Sequence, residues 1–300
     1  MADVLTNAPA PDVHDYGLDQ PQQPMIFNIK GASNYDWGIK NRLSRIFSPK
    51  DGNAAVFAID HGESMGPTRG LERIDLLVPK VAGSLDAIMA TRGGFRQTVD
   101  PRMGKAIILR VSYGGSILQD DPDHPMQGIG SSMEEALRMD ACAVALQFNL
   151  GVAPANEFQT YQTLHDSVDV GNRVGMPVLG VVAVGREMQR ENRFYLLATR
   201  AISEIGCQLI KTYYTETEFE KITCACPVPI IIAGGKVLPE EGALELTYRA
   251  ISEGARGVDM GRNIFHAKDP GAMANSIRLV VHEGYNAKQA FEAYEELRNK

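Results

Sequence analysis

The sequence is short of several features at once. It has one tryptophan and four cysteines in 300 residues. Cys142 and Cys207 fall in apolar, strand-like runs and read as small core residues. Cys224 and Cys226 form a C-x-C pair, without the C-x-x-C spacing of redox or zinc sites and with no histidine nearby. Reduced thiols are therefore expected. None of the six histidines falls in an H-E-x-x-H pattern. The run "QDDPDH" at 119–124 has ligand-type residues, but carboxylates crowded into one proline-containing loop more often stay solvated. No metal is expected. No apolar run approaches the roughly 18 residues of a membrane span, and residues 1–24 lack both the basic and the apolar region of a signal peptide. The cytoplasm is the expected compartment.

Positive charge is also scarce. Thirty lysines and arginines against 37 acidic residues leave a net charge of −7. That balance argues against nucleic acid or an anionic membrane as the main partner. An anionic ligand would have to be held by a few local cations and backbone amides.

What remains is an ordinary globular composition, 44% hydrophobic and 22% charged. Residues 1–25, rich in Pro, Gln and Asp, read as a flexible tail or an arm for a neighbouring subunit; residues 26–300 read as one catalytic domain. "NYDWGIKNRLSRIF" places Trp37, Ile39, Leu43, Ile46 and Phe47 at near-helical spacing, with Asn34 as the expected cap. "SPKDGN" ends that helix.

A rhythm then begins. Short apolar runs at 54–60, 86–90, 106–111, 142–148, 178–184, 207–213, 229–235 and 257–261 alternate with helical patterns. The second-to-third connection has the weakest helical signal. Continuous apolar strands separated by helices mark a parallel sheet buried on both faces. Eight of them fit one (β/α)8 TIM barrel with the N-terminal helix capping an end. The alternative, a doubly wound open sheet, lacks a G-x-G-x-x-G turn after the first strand and any composition break.

Chemistry in a barrel belongs at the C-terminal strand ends. These carry Asp60-His61-Gly62, Thr91-Arg92-Gly93, Ser112, Asn149, Gly185-Arg186, Lys211, Gly234-Gly235-Lys236 and Gly261-Arg262-Asn263. After strands seven and eight, two glycine-bearing turns each sit next to a cation. Such turns let backbone N–H groups approach an anion, and a helix N-terminus adds its dipole. Gly234, Gly235, Lys236, Gly261 and Arg262 are therefore the expected phosphate site. The competing reading is that the glycines only serve tight turns, with the cations pairing Glu240 or Glu241.

Lys211 is the anomaly of strand six. Period two puts Leu209, Lys211 and Tyr213 on one face and Ile210 and Thr212 on the other. If the first face points into the barrel, burial favours a neutral amine, which attacks a ketone to form an imine and so creates an electron sink for C–C chemistry. Alternatively the lysine pairs with Asp60 or another strand-end carboxylate. Asp60 is the expected proton carrier beside it. His61 is either a second acid–base group or one that orients its neighbours. Glu63 reads as solvated.

The strings "AIDHG", "IKTYY", "IAGGK" and "GVDMGRNIF", with "GPT.GLERID", "TRG", "CAVA.Q" and "FEKI", resemble the archaeal-type (DhnA-type) class I aldolases over residues 20–298. The resemblance implies a homo-oligomer, a decamer, with Lys211 as imine former, Asp60 as proton-transfer carboxylate and the two glycine turns as phosphate site. For the family's thiolase members it implies a phosphorylated hydroxy-pentanedione, phosphorylated autoinducer-2, as substrate. Its acetyl unit passes to coenzyme A as co-substrate, and dihydroxyacetone phosphate is released. No other cofactor is implied.

Two departures stand out. The family's fructose-bisphosphate aldolases have an acid–base tyrosine near the end of strand five, and "VVAVGREM" has none, which agrees with the thiolases. Those thiolases carry aromatic residues just after Asp-His-Gly, where this chain has Glu63-Ser64-Met65. The leading expectation is a Schiff-base enzyme acting on a small phosphorylated ketose or diketone, with thiolase-type transfer to coenzyme A. Its rivals are an aldolase releasing a free aldehyde, a phospho-sugar isomerase, and a non-catalytic phospholigand-binding barrel.

Overall fold

The computed structural model describes residues 16–22, 27–118, 127–184 and 191–299. Eight parallel strands close into a barrel: β1 (Ala54–Ala58), β2 (Ala87–Ala90), β3 (Ala106–Arg110), β4 (Ala143–Leu150), β5 (Val178–Val184), β6 (Leu209–Tyr213), β7 (Ile230–Ala233) and β8 (Gly257–Met260). Each strand pairs with its sequence neighbours, and β8 returns to β1 through Ala54–Gly257 and Phe57–Met260. Closure leaves no sheet edge among these strands. All eight sequence-predicted strands are present. Most are trimmed at one or both ends, so that Asp60, Gly234 and Gly261 lie in the turns beyond them. β4 runs on to Leu150, which puts Asn149 inside the strand rather than after it.

The barrel is buried on both faces because the two phases of each strand are apolar. Ala55, Phe57, Ile88, Leu109, Val144, Leu146, Ile210, Ile232 and Val258 point outward beneath the helices. Ala54, Val56, Ala87, Met89, Ile108, Ala143, Ala145, Leu179, Leu209 and Ile231 fill the interior. The small alanines leave room for the cap, and Ile39, Leu43, Ile46 and Phe47 pack into the same interior cluster. Burying each of these large side chains contributes roughly 1.5–3 kcal/mol.

The cap helix spans Trp37–Ile46, and its N-cap is Asp36, whose side chain accepts a hydrogen bond from Ile39 N at 3.1 Å. Asn34 instead ends a 3-10 turn, Ala32–Asn34. Asp36 wins because it has the extended backbone directly before the first helical residue, which an N-cap requires. Arg42 donates to Ala141 O and Gly175 O, and Lys30 donates to Thr223 O. These bonds tie the N-terminal segment to the residues before β4 and β5 and to the helix Phe219–Ala225 that precedes β7. The N-terminal end of the barrel is thereby closed, and polar inward residues collect at the other end.

The connection from β2 to β3 holds a short helix, Arg92–Thr98, capped by Thr91, and a 3-10 turn, Pro101–Met103. A small antiparallel pair, Ser112–Tyr113 with Gly128–Ile129, follows β3. Two-residue strands are too short to leave a periodic signal. The tail assigned to 1–25 falls mostly outside the described residues, as do "QDDPDH" and Gly185-Arg186.

Candidate active site

Lys211 lies one layer above Leu209 on the inward face of β6, in register with Val181 on β5 and Ile231 on β7. Its side chain is 10% exposed, and its Nζ lies 2.8 Å from Oδ2 of Asp259, which is fully buried. Asp259 reaches this position by the same alternation: in "GVDM", Val258 and Met260 pack outward, leaving the aspartate inside. The partner of Lys211 is therefore a strand-eight carboxylate that sequence reasoning passed over. The signal was available, because a lone carboxylate in an apolar strand is the same anomaly as a lone lysine.

The pair is a direct contact between ammonium and carboxylate. Apart from Lys211, neither oxygen of Asp259 has a hydrogen-bond donor among the described residues. Burial pushes the Asp259 carboxyl above its ordinary pKa against the opposing pull of the Lys211 ammonium, and the negative charge of Asp60 adds to the rise.

Asp60 is treated differently. Its Oδ2 lies 3.0 Å from Arg110 Nη1 and its Oδ1 lies 3.8 Å from His61 Nδ1. Burial pushes this carboxyl up too, but His61, Arg110 and Lys211 together outweigh it and hold the pKa well below the usual carboxylate range. Asp60 is thus a fixed anion.

Arg110 anchors that anion to a buried polar network. Its Nη2 donates to Gln147 Oε1 at 2.7 Å, and its Nε donates to Ser112 O at 3.0 Å and Ser112 Oγ at 3.1 Å. Gln147 Nε2 donates to Asn149 Oδ1 at 2.7 Å, and Asn149 Nδ2 donates to Gln127 Oε1 at 3.2 Å. Ser112 and Asn149 stood among the strand-end residues; Arg110, Gln147 and Gln127 did not. Arg110 and Gln147 carry the same mark as Lys211, a polar side chain at an inward position of an apolar strand.

His61 stacks on Phe265 with ring centroids 5.4 Å apart and an interplanar angle of 30°. Its Nε2 is buried without a hydrogen-bond partner among the described residues. Glu63-Ser64-Met65 form the short helix that follows, where Ser64 O accepts from Ile117 N at 3.0 Å.

The two glycine turns are tied to each other. Asn263 Nδ2 donates to Gly234 O at 2.9 Å, Leu238 N donates to Asn263 Oδ1 at 2.9 Å, and Arg262 Nη2 donates to Gly235 O at 2.6 Å. Gly235 has φ +64°, a left-handed turn that favours glycine. Gly261 is needed for a different reason: a Cβ there would lie 2.5 Å from Ala58 O. Lys236 and Arg262 are exposed. Glu240 is engaged by Tyr294 OH and Lys268 N instead of these cations. The helix after Gly261 has only four residues, Arg262–Phe265, and the one after Gly235 begins at Glu240. The expected helix dipole is therefore weak here, and an anion would depend on turn amides and the two cations.

Arg92 belongs elsewhere. Together with Arg96 it binds Glu135, at 2.8 Å and 2.6 Å, and ties two outer helices together. A cavity of about 930 Å³ opens at the opposite, N-terminal end between the cap helix and the starts of β2 and β3. Arg45, Phe47, Asp86, Phe95, Lys105 and Asp140 are among its lining residues, and none of the predicted site residues is.

Comparison with known proteins bears on the family and the fold. The family model for DeoC/LacD family aldolases matches residues 54–267, from the first residue of β1 to just past β8. The 3-hydroxy-5-phosphonooxypentane-2,4-dione thiolase of Klebsiella pneumoniae subsp. pneumoniae is 46% identical over 282 residues, 94% of each chain. The thiolase of the same name from Escherichia coli K12 is 45% identical over 94% of this chain and 96% of its own. Among solved structures, an archaeal fructose 1,6-bisphosphate aldolase superposes with a TM-score of 0.72 at 24% identity, covering 82% of this chain and 100% of that one, and shares the fold. With the family model spanning the whole barrel and relatives matching along nearly the full length, the protein belongs to the DeoC/LacD family of aldolases.

Proposed function

We propose that the protein is a Schiff-base thiolase acting on 3-hydroxy-5-phosphonooxypentane-2,4-dione or a close phosphorylated diketone, with coenzyme A as acyl acceptor. The observation that carries this reading is the amine of Lys211, one-tenth exposed on the inner face of β6 at the mouth of the barrel. Near-complete coverage of thiolase relatives at 46% identity supports the choice of substrate.

The chemistry follows from the substrate's bonds. In this reading the phosphate sits on the Gly234–Gly235 and Gly261–Arg262 turns, and Lys211 adds to the carbonyl nearest the phosphate, C4. Its imine places an electron sink next to C3. A thiolate then attacks the C2 carbonyl, and the C2–C3 bond breaks with its electron pair moving into the imine as an enamine. The acetyl group leaves on sulfur. Protonation of C3 and hydrolysis of the imine release dihydroxyacetone phosphate and free Lys211. In this reading Asp60, kept ionised by His61, Arg110 and Lys211, accepts a hydrogen bond from a substrate hydroxyl.

The same family likeness supports a homo-oligomer, with a decamer expected, which sedimentation reads directly. The activity test uses the phosphorylated diketone with and without coenzyme A, followed by borohydride reduction and peptide mass analysis. A reduced adduct on Lys211 and coenzyme A-dependent formation of an acetyl thioester are expected. Undiminished cleavage without coenzyme A would mean an aldolase that releases a free product. The absence of any Lys211 adduct across phosphorylated ketones would overturn the Schiff-base reading in favour of an isomerase or a binding barrel.

A further inference from the structure

The two carboxylates near Lys211 are built for different work. Asp60 has a guanidinium 3.0 Å from one oxygen, so protonating it would sacrifice a charge-assisted contact. Asp259 touches the amine itself at 2.8 Å. Beyond Lys211 its oxygens have no donor among the described residues, so moving the lysine's own proton onto it gives up no other hydrogen bond. A shift of one proton from Nζ to Oδ2 also converts a buried ion pair into a buried neutral pair, which a desolvated site favours.

We propose that Asp259 is the catalytic proton acceptor for Lys211 and the donor that later releases water from the carbinolamine. This rests on the reading of Lys211 as the imine-forming residue, and it moves the proton-transfer role from Asp60 to a carboxylate on β8. It also supplies an acid–base group in a chain that has no tyrosine in the 178–188 stretch.

The protons balance. The Lys211 ammonium gives one proton to Asp259, and its freed lone pair adds to the carbonyl carbon while the C=O π pair moves to oxygen. A second proton passes from the nitrogen to that oxygen, giving a neutral carbinolamine. Asp259 returns its proton to the hydroxyl, which leaves as water as the nitrogen lone pair forms the iminium bond. Of the lysine's three protons, two leave in water and one stays on the iminium nitrogen. Asp259 ends as it began, a carboxylate. Its raised pKa fits this cycle, and the fixed ionisation of Asp60 does not.

The charged groups facing Asp259 are Lys211 from β6 and Asp60 and His61 from the turn after β1. Pair titration sets the expected pH profile. Imine formation in the native protein should hold a plateau through neutral pH and fall only in acid, once the pair carries two protons. In Asp259→Asn the acceptor is gone, and the acid limb should move up to the range where solvent deprotonates the amine.

The test is the rate of adduct formation with dihydroxyacetone phosphate, trapped by borohydride and read by peptide mass, for the native enzyme and Asp259→Asn. A loss of roughly 10²–10⁴-fold near neutrality, recovering as pH rises, is expected. Trapping by Asp259→Asn at the native rate or faster would overturn the proposal, since the carboxylate would then only hold the ammonium in place. Should that variant fail to fold, the native profile decides: a rate climbing tenfold per pH unit through neutrality overturns the proposal. No adduct in the native protein refutes the Schiff-base reading itself and this role with it, whereas native trapping with an unaffected variant refutes only the role.

Discussion

Arg110 Nη1 lies 3.0 Å from Asp60 Oδ2, and the same guanidinium bonds Gln147 and both acceptors of Ser112. One side chain thus joins His61 and Lys211 in lowering the pKa of Asp60 and ties it to the polar network at the barrel mouth. Arg110→Met removes a partner from a buried pair with side chains 15% and 10% exposed, which costs about 3–5 kcal/mol. Asp60 has a depressed folded pKa, so its contribution is present above the unfolded value of ~3.9 and is lost as pH falls through the folded one. The gap between native and variant urea midpoints should therefore be widest at neutral pH and narrow in acid. In the variant, the acid limb of kcat/KM should move upward, because Asp60 then protonates more readily. Equal gaps at all pH values would show that Arg110 acts by packing alone.

His282 makes a second prediction at the closed end of the barrel. Its Nδ1 lies 2.8 Å from Asp51 Oδ2 and its Nε2 lies 2.9 Å from Asp86 Oδ2. The imidazole pins the helix Pro270–Glu283 to the loop before β1 and to the residue before β2. Burial pushes its pKa down, but the two carboxylates outweigh burial and raise it above 6.5. A raised folded pKa stabilises fully below the unfolded value and less as pH climbs through the folded one. Native stability should therefore decline above pH ~6.5. His282→Gln should lose about 1–3 kcal/mol at pH 6 and show a flatter profile, measured by urea denaturation across pH.

The barrel is legible in the sequence because a parallel sheet buried on both faces writes each strand as a continuous apolar run. Helix Trp37–Ile46 is legible from its spacing, though its cap is displaced from Asn34 to Asp36. The site is only half legible. Lys211 stands out against Leu209 and Ile210, and by the same logic Asp259, Arg110 and Gln147 stand out in their own strands. Which of these meet is another matter. Whether Lys211 faces Asp60 or Asp259 depends on the stagger between strands around the closed barrel, and no local pattern records that stagger. The two-residue ribbon after β3, which frames Ser112, is silent for want of length.

The glycines of the two turns should respond differently to alanine. Gly235→Ala forces a side chain into φ +64°, at a cost of ~1–2 kcal/mol, with no close neighbour, since Tyr213 Cδ1 is 3.8 Å away. Gly261→Ala puts a methyl 2.5 Å from Ala58 O and 3.1 Å from His61 Cε1. The backbone carbonyl has nowhere to go, so β8 and the His61 turn must part, costing about 1–3 kcal/mol. Gly261→Ala should therefore lower kcat as well as stability, and Gly235→Ala chiefly stability and KM. Equal loss of kcat in both would contradict this ordering.

Arg262 donates to Gly235 O yet remains exposed, and among the described residues its other guanidinium N–H groups are open to a phosphate. Arg262→Ala should raise KM for a phosphorylated substrate by about 10- to 100-fold, the worth of a charge-assisted bond at 1.5–3 kcal/mol, with little change in kcat. A large fall in kcat at unchanged KM would place Arg262 in the chemistry instead of in binding.

Lys211→Ala should abolish turnover, and its effect on stability reports on Asp259. Removing the lysine leaves a fully buried carboxyl without the ammonium that lies 2.8 Å from it. An uncompensated buried charge costs about 3–5 kcal/mol, but protonation relieves it. Burial raises the folded pKa of Asp259, and loss of the Lys211 charge raises it further. The variant's stability should therefore be near native below the unfolded value of ~3.9 and should fall progressively as pH rises through the folded pKa. Lys211→Met, which refills the space without the charge, should show the same slope from a higher baseline. If both variants keep native stability across the whole range, Asp259 does not feel Lys211 as a partner and the buried pair has no energetic weight.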